Sequence, residues 1–327
     1  MNRPVVLVSD PLPPETLAGL DAHDIRHCDG TDPAALRAAL TEAHALLVRS
    51  GTKVDAEAIA AAPHLRVVAR AGVGLDNVDI DAATAAGVLV ANAPRSNVLS
   101  VAELTVGLII ASLRGVQAAG ASLRAGRWER QAFKGSELAG RTVGIVGLGN
   151  VGRLVARRLA AFDVTLLAYD PYVPAADAAT HGCRLLELDD LMARSDVVTV
   201  HLPRTPQTTG LIGRRELALA RPNLHLVNTS RGGIVDESAL FSALREGSVG
   251  GAALDVFEVE PPIGSPLLDL DAVVATPHLG ASTREAQDRA GREAVRAVYD
   301  ALAGRPVPHA VNAAAVESAR ARLSAVD

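Results

Sequence analysis

Residues 142–152 read TVGIVGLGNVG. Thr142–Val146 is an apolar, β-branched run of strand length, and Val151, Leu154, Val155 and Leu159 then recur at helical spacing. Gly147, Gly149 and Gly152 sit between strand and helix, with Asn150 and Val151 inside the turn. Each glycine of a G-x-G-x-x-G turn has its own task. The first permits the tight bend, the second lets backbone approach a pyrophosphate, and the third lets helix and strand pack closely. The helix N-terminus adds free N–H groups and the positive end of a dipole. The next strand, Val164–Tyr169, ends at Asp170, eighteen residues after Gly152. A carboxylate at that distance accepts ribose hydroxyls and repels a 2′-phosphate, and Pro171 and Tyr172 bring no arginine to offset it. The expected cofactor is NAD rather than NADP.

Outward from this stretch the chain alternates. On the N-terminal side, Pro4–Val8, Ala45–Val48, Leu65–Ala69 and Val88–Ala91 read as buried strands. Thr16–Leu20, Pro33–Ala43, Asp55–Ala62 and Asp79–Ala86 read as helices, with Thr31 or Asp32 as N-cap and Pro63 and Gly87 as stops. Ser100–Leu113 is a long apolar helix. Arg114–Gly140 holds the single Trp128 and several cations, with three glycines in its stretch RAGRWERQAFKGSELAG (124–140), and reads as a protruding arm or interface. On the C-terminal side, Val151–Ala161 and Thr283–Leu302 read as helices. Val197–Leu202, Leu224–Val227, Ala252–Val256 and Val273–Ala275 are further apolar runs. The last twenty residues are Ala-rich and are expected to be loosely held. Short links between alternating strands and helices predict an α/β protein with two doubly wound parallel sheets.

Bulk properties agree. A chain of 327 residues suggests two domains at about 150 residues each. An apolar share of 49% excludes whole-chain disorder. The net charge of −5 lacks the basic excess of a general nucleic-acid surface, so no nucleic-acid partner is expected. Arg153, Arg157 and Arg158 read as a solvated helix face. Only Cys28 and Cys183 occur, which fits a reducing compartment. The N-terminal apolar run is too short for a signal peptide, and Leu104–Leu113 is too short to span a bilayer. The expected location is cytoplasmic, without membrane attachment. His23, His27 and Cys28 lack a fourth ligand, so no metal site is expected.

Ligands of open parallel sheets bind beyond the carboxyl ends of the strands, and here those ends are loaded. His201 follows Val197–Val200. Asn228-Thr229-Ser230-Arg231 follows Leu224–Val227, Asp255 follows Ala252–Leu254, and Thr276-Pro277-His278 follows Val273–Ala275. A histidine can exchange a proton near neutral pH, and a neighbouring carboxylate would orient its ring. Glu258 and Glu260 are both candidates for that neighbour.

Seven stretches carry a further signal: RAGVGLDNVD (70–79), VAELT (101–105), GIVGLGNVG (144–152), HLPRTPQTTGLI (201–212), NTSRGGIVDE (228–237), GAALDVFEVEPP (251–262) and TPHLGASTREAQ (276–287). Together they resemble the D-2-hydroxyacid dehydrogenase family, most closely its phosphoglycerate dehydrogenase branch. The resemblance implies a flavodoxin-like substrate domain of residues 1–93 and 283–327, and a Rossmann NAD domain of 94–282. It also implies an active site between the two domains. Within the NAD domain, an arm of about 100–140 resembles the family's dimerisation region, which implies a homodimer. By the same resemblance Arg231 clamps the 2-oxo acid, Glu260 partners the catalytic histidine, and His278 is the proton donor. Gly147, Gly149, Asn150, Val151, Gly152, Asp170, His201, Thr229, Ser230, Asp255, Gly280 and Ala281 would line the cofactor.

The substrate would be a small anionic 2-oxo or 2-hydroxy acid. Arg49, Lys53, Arg70, Val73, Gly74 and Asn97 resemble substrate-binding positions of the phosphoglycerate branch, with Arg130 and Lys134 reaching from the arm. Several cations suit a phosphate plus a carboxylate. The implied activity is oxidoreduction of 3-phosphoglycerate and 3-phosphohydroxypyruvate. Arg95 is an added cation that would equally suit another anion, such as hydroxypyruvate, glyoxylate or phosphonopyruvate. An NAD(H)-sensing, corepressor-like binding protein is the alternative class. The chain ends soon after HAVN (309–312), where long members add regulatory domains, so feedback through such a domain is not expected.

Overall fold

The computed structural model describes residues 3–323, with side chains described as far as Ser318. The chain divides into two compact units, one of Met1–Asn97 with Thr283–Asp327 and one of Val98–Ser282. Residues 324–327, at the end of the expected loose tail, lie outside the described residues.

In the first unit, β1 (Val5–Val8), β2 (Asp24–His27), β3 (Ala45–Val48), β4 (Val67–Arg70) and β5 (Leu89–Ala91) form a parallel sheet in the order β2-β1-β3-β4-β5. This is the flavodoxin-like order. β1 and β3 are buried along their whole length, which is why they read as unbroken Val and Leu runs. Alternate side chains feed two separate cores. Leu7, Leu46 and Val68 pack with Leu36 and Leu40 on one face, and Val6, Leu47 and Val67 pack with Leu20 and Val298 on the other. The helix Arg284–Leu302 supplies Val298 and so brings a distant segment into this unit.

The second unit contains β6 (Thr142–Val146), β7 (Thr165–Tyr169), β8 (Cys183–Leu185), β9 (Val197–Val200), β10 (His225–Asn228), β11 (Gly251–Leu254) and β12 (Val273–Ala275). They are parallel in the order β12-β11-β10-β9-β6-β7-β8, so the chain reverses direction across the sheet between β6 and β9. That switch point is where a crevice opens beyond the strand ends. Val143, Ile145 and Val197 face the helices Val98–Leu113 and Asn150–Leu159. Val146, Val198 and Leu226 face Leu191, Leu217 and Leu240 of three helices on the opposite side. Both sheets are therefore doubly wound, as the alternation predicts.

Some expectations need correction. The apolar runs do not predict β2 or β8. β2 is an edge strand of mixed, half-exposed side chains, DIRH, and β8 is the three-residue opposite edge of the other sheet. Neither carries a buried apolar run. The segment after Leu113 begins with a helix, Val116–Arg124, that the sequence reading does not place. Among the described residues no single helix is long and apolar enough to cross a membrane; Val98–Leu113 and Val116–Arg124 pass such a test only as a pair bent by 66°. The expected loose tail is anchored at Asn312. Its side chain accepts from Val90 N–H and donates to Val88 O and Thr84 Oγ1, extending the pattern of the β5 edge. Val316 beyond it is fully buried.

Candidate functional site

The three glycines of the β6 turn answer three different constraints. Gly147 has a left-handed φ of 97°, and a Cβ there would meet the His201 carbonyl at 2.7 Å. Gly152 lies so close to Gly147 that a Cβ would stand 2.1 Å from its carbonyl oxygen. Gly149 faces open space. The turn thus packs tightly at both ends and is accessible in its middle. The Leu148 residue between them is held from both sides: its N–H donates to Asp170 Oδ2 at 2.9 Å, and its carbonyl accepts from Arg153 Nε at 2.9 Å. Arg153 also meets the Asp177 carboxylate, and Arg158 meets the Leu154 carbonyl and Glu103. Two of the three helix arginines are therefore tied rather than simply solvated. The other Asp170 oxygen accepts from Tyr172 N–H, and each oxygen keeps a lone pair for another donor.

The strand ends of β10, β11 and β12 build a second cluster. After β10 the Asn228 side chain organises its own loop, accepting from Ser230 N–H and Oγ–H and donating to the Arg231 carbonyl. Arg231 donates to the Ser230 carbonyl. Thr229 is buried and shares a hydrogen bond with Thr105. After β11, Asp255 is fully buried and its carboxylate accepts from Thr276 Oγ1–H (2.7 Å), Leu279 N–H (2.6 Å) and Gly280 N–H (2.8 Å). Asp255 therefore shapes the loop that follows β12. His278 sits in that loop with φ 52°, and its N–H is shared between the Asp255 and Thr276 carbonyls. A left-handed conformation at a side-chain-bearing residue persists only where its surroundings over-determine it. His278 Nδ1 lies 2.8 Å from Glu260 Oε2, while Glu260 Oε1 accepts from Phe257 N–H. Of the two carboxylates left open by the sequence, the structure brings Glu260 to the histidine. Gly280 is buried and Ala281 is exposed in the same loop. With Nδ1 engaged, Nε2 is the imidazole nitrogen left to exchange a proton.

His201, after β9, is different. Its Nε2 is 3.0 Å from Thr199 Oγ1, and its Nδ1 is buried without a partner among the described residues. Burial pushes this imidazole down to about 3, so it stays neutral.

In the first unit, Arg70 ends β4 in register with Val48, and Arg49 follows directly after the end of the adjacent strand β3. Arg49 donates to the Pro11 carbonyl, and Arg70 folds over Gly72 to donate to the Gly74 carbonyl. The Val73 carbonyl accepts from Asn92. Lys53 is exposed and Asn97 half-buried. Two residues not singled out in the sequence fix the Arg49–Lys53 loop. Asp10 accepts from the N–H groups of Arg49 and Thr52, and Asn77 donates to the carbonyls of the same two residues. In the second unit Arg130 and Lys134 are exposed on the segment that follows the helix Val116–Arg124.

Residues 106–280 match the family model for the NAD-binding domain of D-isomer specific 2-hydroxyacid dehydrogenases. The chain belongs to the D-2-hydroxyacid dehydrogenase family. It is 57% identical over 313 residues to a D-3-phosphoglycerate dehydrogenase of Mycobacterium bovis, covering 95% of this chain and 59% of that protein. The chain thus spans somewhat over half the length of such curated relatives. The crystal structure of the TT0316 protein from Thermus thermophilus superposes with a TM-score of 0.85 at 34% identity, covering 94% of this chain and 99% of that one. A D-lactate dehydrogenase from Aquifex aeolicus, complexed with NAD and lactic acid, gives 0.81 at 28% identity, covering 92% and 96%.

The residues of this dehydrogenase-family chain fit a dinucleotide. Gly149 leaves room for a phosphate, Asp170 has acceptor capacity for a ribose, and His201 Nδ1 is a buried polar atom with no partner among the described residues. Among the described residues no group of three or more His, Cys, Asp or Glu could hold a metal ion.

Proposed function

We propose that the protein is an NAD-dependent D-2-hydroxyacid dehydrogenase that interconverts 3-phosphoglycerate and 3-phosphohydroxypyruvate. The observation that carries this reading is the His278–Glu260 pair at 2.8 Å, on strand-end loops of the same unit as Arg231. When bound, NAD supplies the acceptor for hydride from C2 of the hydroxy acid, and NADH the donor in reverse. His278 takes the hydroxyl proton at Nε2 in oxidation and returns it in reduction. Glu260 holds the imidazole through Nδ1 and offsets its positive charge while the proton is held. Arg231 binds the carboxylate and stabilises charge developing on the carbonyl oxygen. Arg49, Lys53 and Arg70 provide cations for the phosphate, aided by Arg130 and Lys134, with Val73, Gly74 and Asn97 completing the substrate contacts. Gly147, Asn150, Val151, Gly152, Thr229, Ser230, Asp255, Gly280 and Ala281 line the cofactor in this reading.

The printed name of the 57% identical relative supports the phosphorylated substrate. The chain acts as a homodimer through the 100–140 region, where Val116 (54% exposed), Leu123 (59%) and Trp128 (77%) present apolar surface. The cytoplasm suits its two unbridged cysteines.

The test is a panel of 3-phosphohydroxypyruvate, hydroxypyruvate, glyoxylate and phosphonopyruvate, each followed with NADH and with NADPH. The phosphorylated acid with NADH should give the highest kcat/KM. Arg49→Ala should lose roughly tenfold or more on the phosphorylated acid and little on hydroxypyruvate and glyoxylate. Equal losses on all four acids would remove the phosphate role from Arg49. An absence of turnover on any of them would favour the NAD(H)-sensing reading.

A further inference from the structure

The loop carrying Glu260 is fastened to the segment carrying Arg231 at two points. The first is steric. A Cβ on Gly232 would stand 1.8 Å from the Phe257 carbonyl oxygen and 2.6 Å from Glu258 N, so the two backbones touch where only glycine fits. The second is polar. Glu237, the first residue of the helix Glu237–Glu246, accepts a short hydrogen bond from Glu258 N–H. Its own helix is capped by Asp236, which accepts from Ala239 N–H, so Glu237 is not needed as a cap. Two residues beyond Glu258, Glu260 presents Oε2 to His278 Nδ1. The Glu237 carboxylate is half-buried, and burial raises its pKa. The Glu258 N–H works against that rise, and the negative charges of Glu258 and Glu260 add to it. These two are the titratable groups that face it from the 257–260 turn, with Asp236 beside it on its own helix. A carboxyl group kept beside two others must gain something for the loop, and the Glu258 N–H bond is that gain.

We propose that Glu237 is a positioning residue for the His278–Glu260 pair: by clamping Glu258 N–H it fixes the turn from which Glu260 holds the imidazole. The proposal deepens the dehydrogenase reading and rests on it for its catalytic consequence. Glu237 touches neither His278 nor, in this reading, the substrate, and acts only through Glu260.

Glu237→Ala removes the acceptor, whereas Glu237→Gln keeps an amide oxygen that can still accept from Glu258 N–H. Both are made in the full chain, with Glu260→Gln and the Glu237→Ala/Glu260→Gln double variant. One readout is the imidazole titration of His278, followed by NMR with ring-labelled histidine, which needs no turnover. The other is kcat and KM on the best acid of the panel, with NADH affinity measured by fluorescence.

Glu237→Ala should displace the His278 titration in the same direction as Glu260→Gln, by about half as much or more. It should lower kcat roughly tenfold while NADH affinity holds. Glu237→Gln should restore both. The double variant should be no worse than Glu260→Gln alone, because residues acting through one contact are not additive. An unmoved His278 titration in Glu237→Ala, failed rescue by Gln, or multiplying losses in the double variant would each overturn the proposal. If Glu260→Gln displaces the titration but no variant alters turnover, the dehydrogenase reading fails instead and the positioning role of Glu237 is judged on the titration alone.

Discussion

Asp255→Asn is the sharpest single test of how the His278 loop is held. The wild-type carboxylate takes three donors: one hydroxyl and the N–H groups of Leu279 and Gly280, on two different oxygens. An asparagine has one carbonyl oxygen and one NH2 group in the same volume. Placing the oxygen on Oδ1's site keeps Leu279 N–H and the Thr276 hydroxyl but turns the NH2 against Gly280 N–H. The reverse flip faces Leu279 N–H with a donor. Either way at least one charge-assisted hydrogen bond, worth about 1.5–3 kcal/mol, is lost. A buried donor is also left without an acceptor, at about 1–3 kcal/mol. Relaxation of the loop recovers part of this, so the expected loss of unfolding free energy is about 2–5 kcal/mol. Urea denaturation should show a lower midpoint with an unchanged slope. Because the loop that slackens carries His278, kcat should fall by more than an order of magnitude. The glycine turn after β6 lies on a different loop, so NADH affinity should fall less than kcat. A midpoint and a kcat both indistinguishable from wild type would show that Asp255 does not hold this loop, and the account of the site's construction would fail.

Two further outcomes follow from the same accounting of donors and acceptors. Asp170→Ser should weaken NADH binding roughly tenfold or more, since the carboxylate acceptors proposed for the ribose are lost, and should narrow the preference over NADPH. Fluorescence titration with both cofactors checks this, and an unchanged ratio would remove Asp170 from cofactor selection. Asp196 links the amino ends of β6, β9 and β10. Burial acts to raise its carboxyl, but Thr142 N–H, the Asn223 amide, Arg221 and Arg141 outweigh it and hold it below the usual range. A depressed folded value means that this contribution is complete above the unfolded carboxylate pKa of about 3.9 and disappears as pH falls through the folded one. Asp196→Asn should therefore be less stable than wild type at neutral pH, with the gap closing as the pH falls below about 4. A gap of constant size across that range would contradict the assignment.

The parts legible in the sequence are those written in contiguous residues. The turn at 147–152 has its strand, its glycines and its helix side by side. Fully buried parallel strands such as Val5–Val8 and Ala45–Val48 announce themselves by composition. β2 and β8 do not, because an edge strand is half-wetted and needs no apolar run. Equally silent are the residues that shape loops by side chain-to-backbone bonds across long separations. Asp10 and Asn77 hold the Arg49–Lys53 loop from 39 and 28 residues away from Arg49. Asn312 reaches Val90 across 222. Nothing local marks them, since the partner is a peptide group and every residue has one. The expectation of a loose tail fails around Asn312 and Val316 for this reason: an Ala-rich composition says nothing of one asparagine that replaces a missing strand neighbour. Asp255 reads from the sequence as a cofactor contact, but its hydrogen bonds within the protein make it first a scaffold.

The contrast between the two strand-end histidines shows what position in the sheet adds. His201 and His278 both follow apolar strands of the same sheet, and only the family resemblance separates them, as cofactor contact and proton donor. β9 is central, flanked by β6 and β10, so the imidazole after it is enclosed and held neutral, down at about 3. β12 is the edge strand, so the imidazole after it remains 47% exposed, beside a carboxylate that is 37% exposed. In the proposed reaction His278 gains and loses a proton in each cycle, and that access suits the role, because full desolvation penalises the charged form of an imidazole. The carboxylates divide in the same way: Asp255, after the interior strand β11, is fully buried and commits its acceptors to protein donors, whereas Glu260, farther along the same connection, emerges at the rim. Strand order thus assigns chemistry. His201 and Asp255, at interior strand ends, are enclosed, whereas Glu260 and His278 stand farther out at the rim.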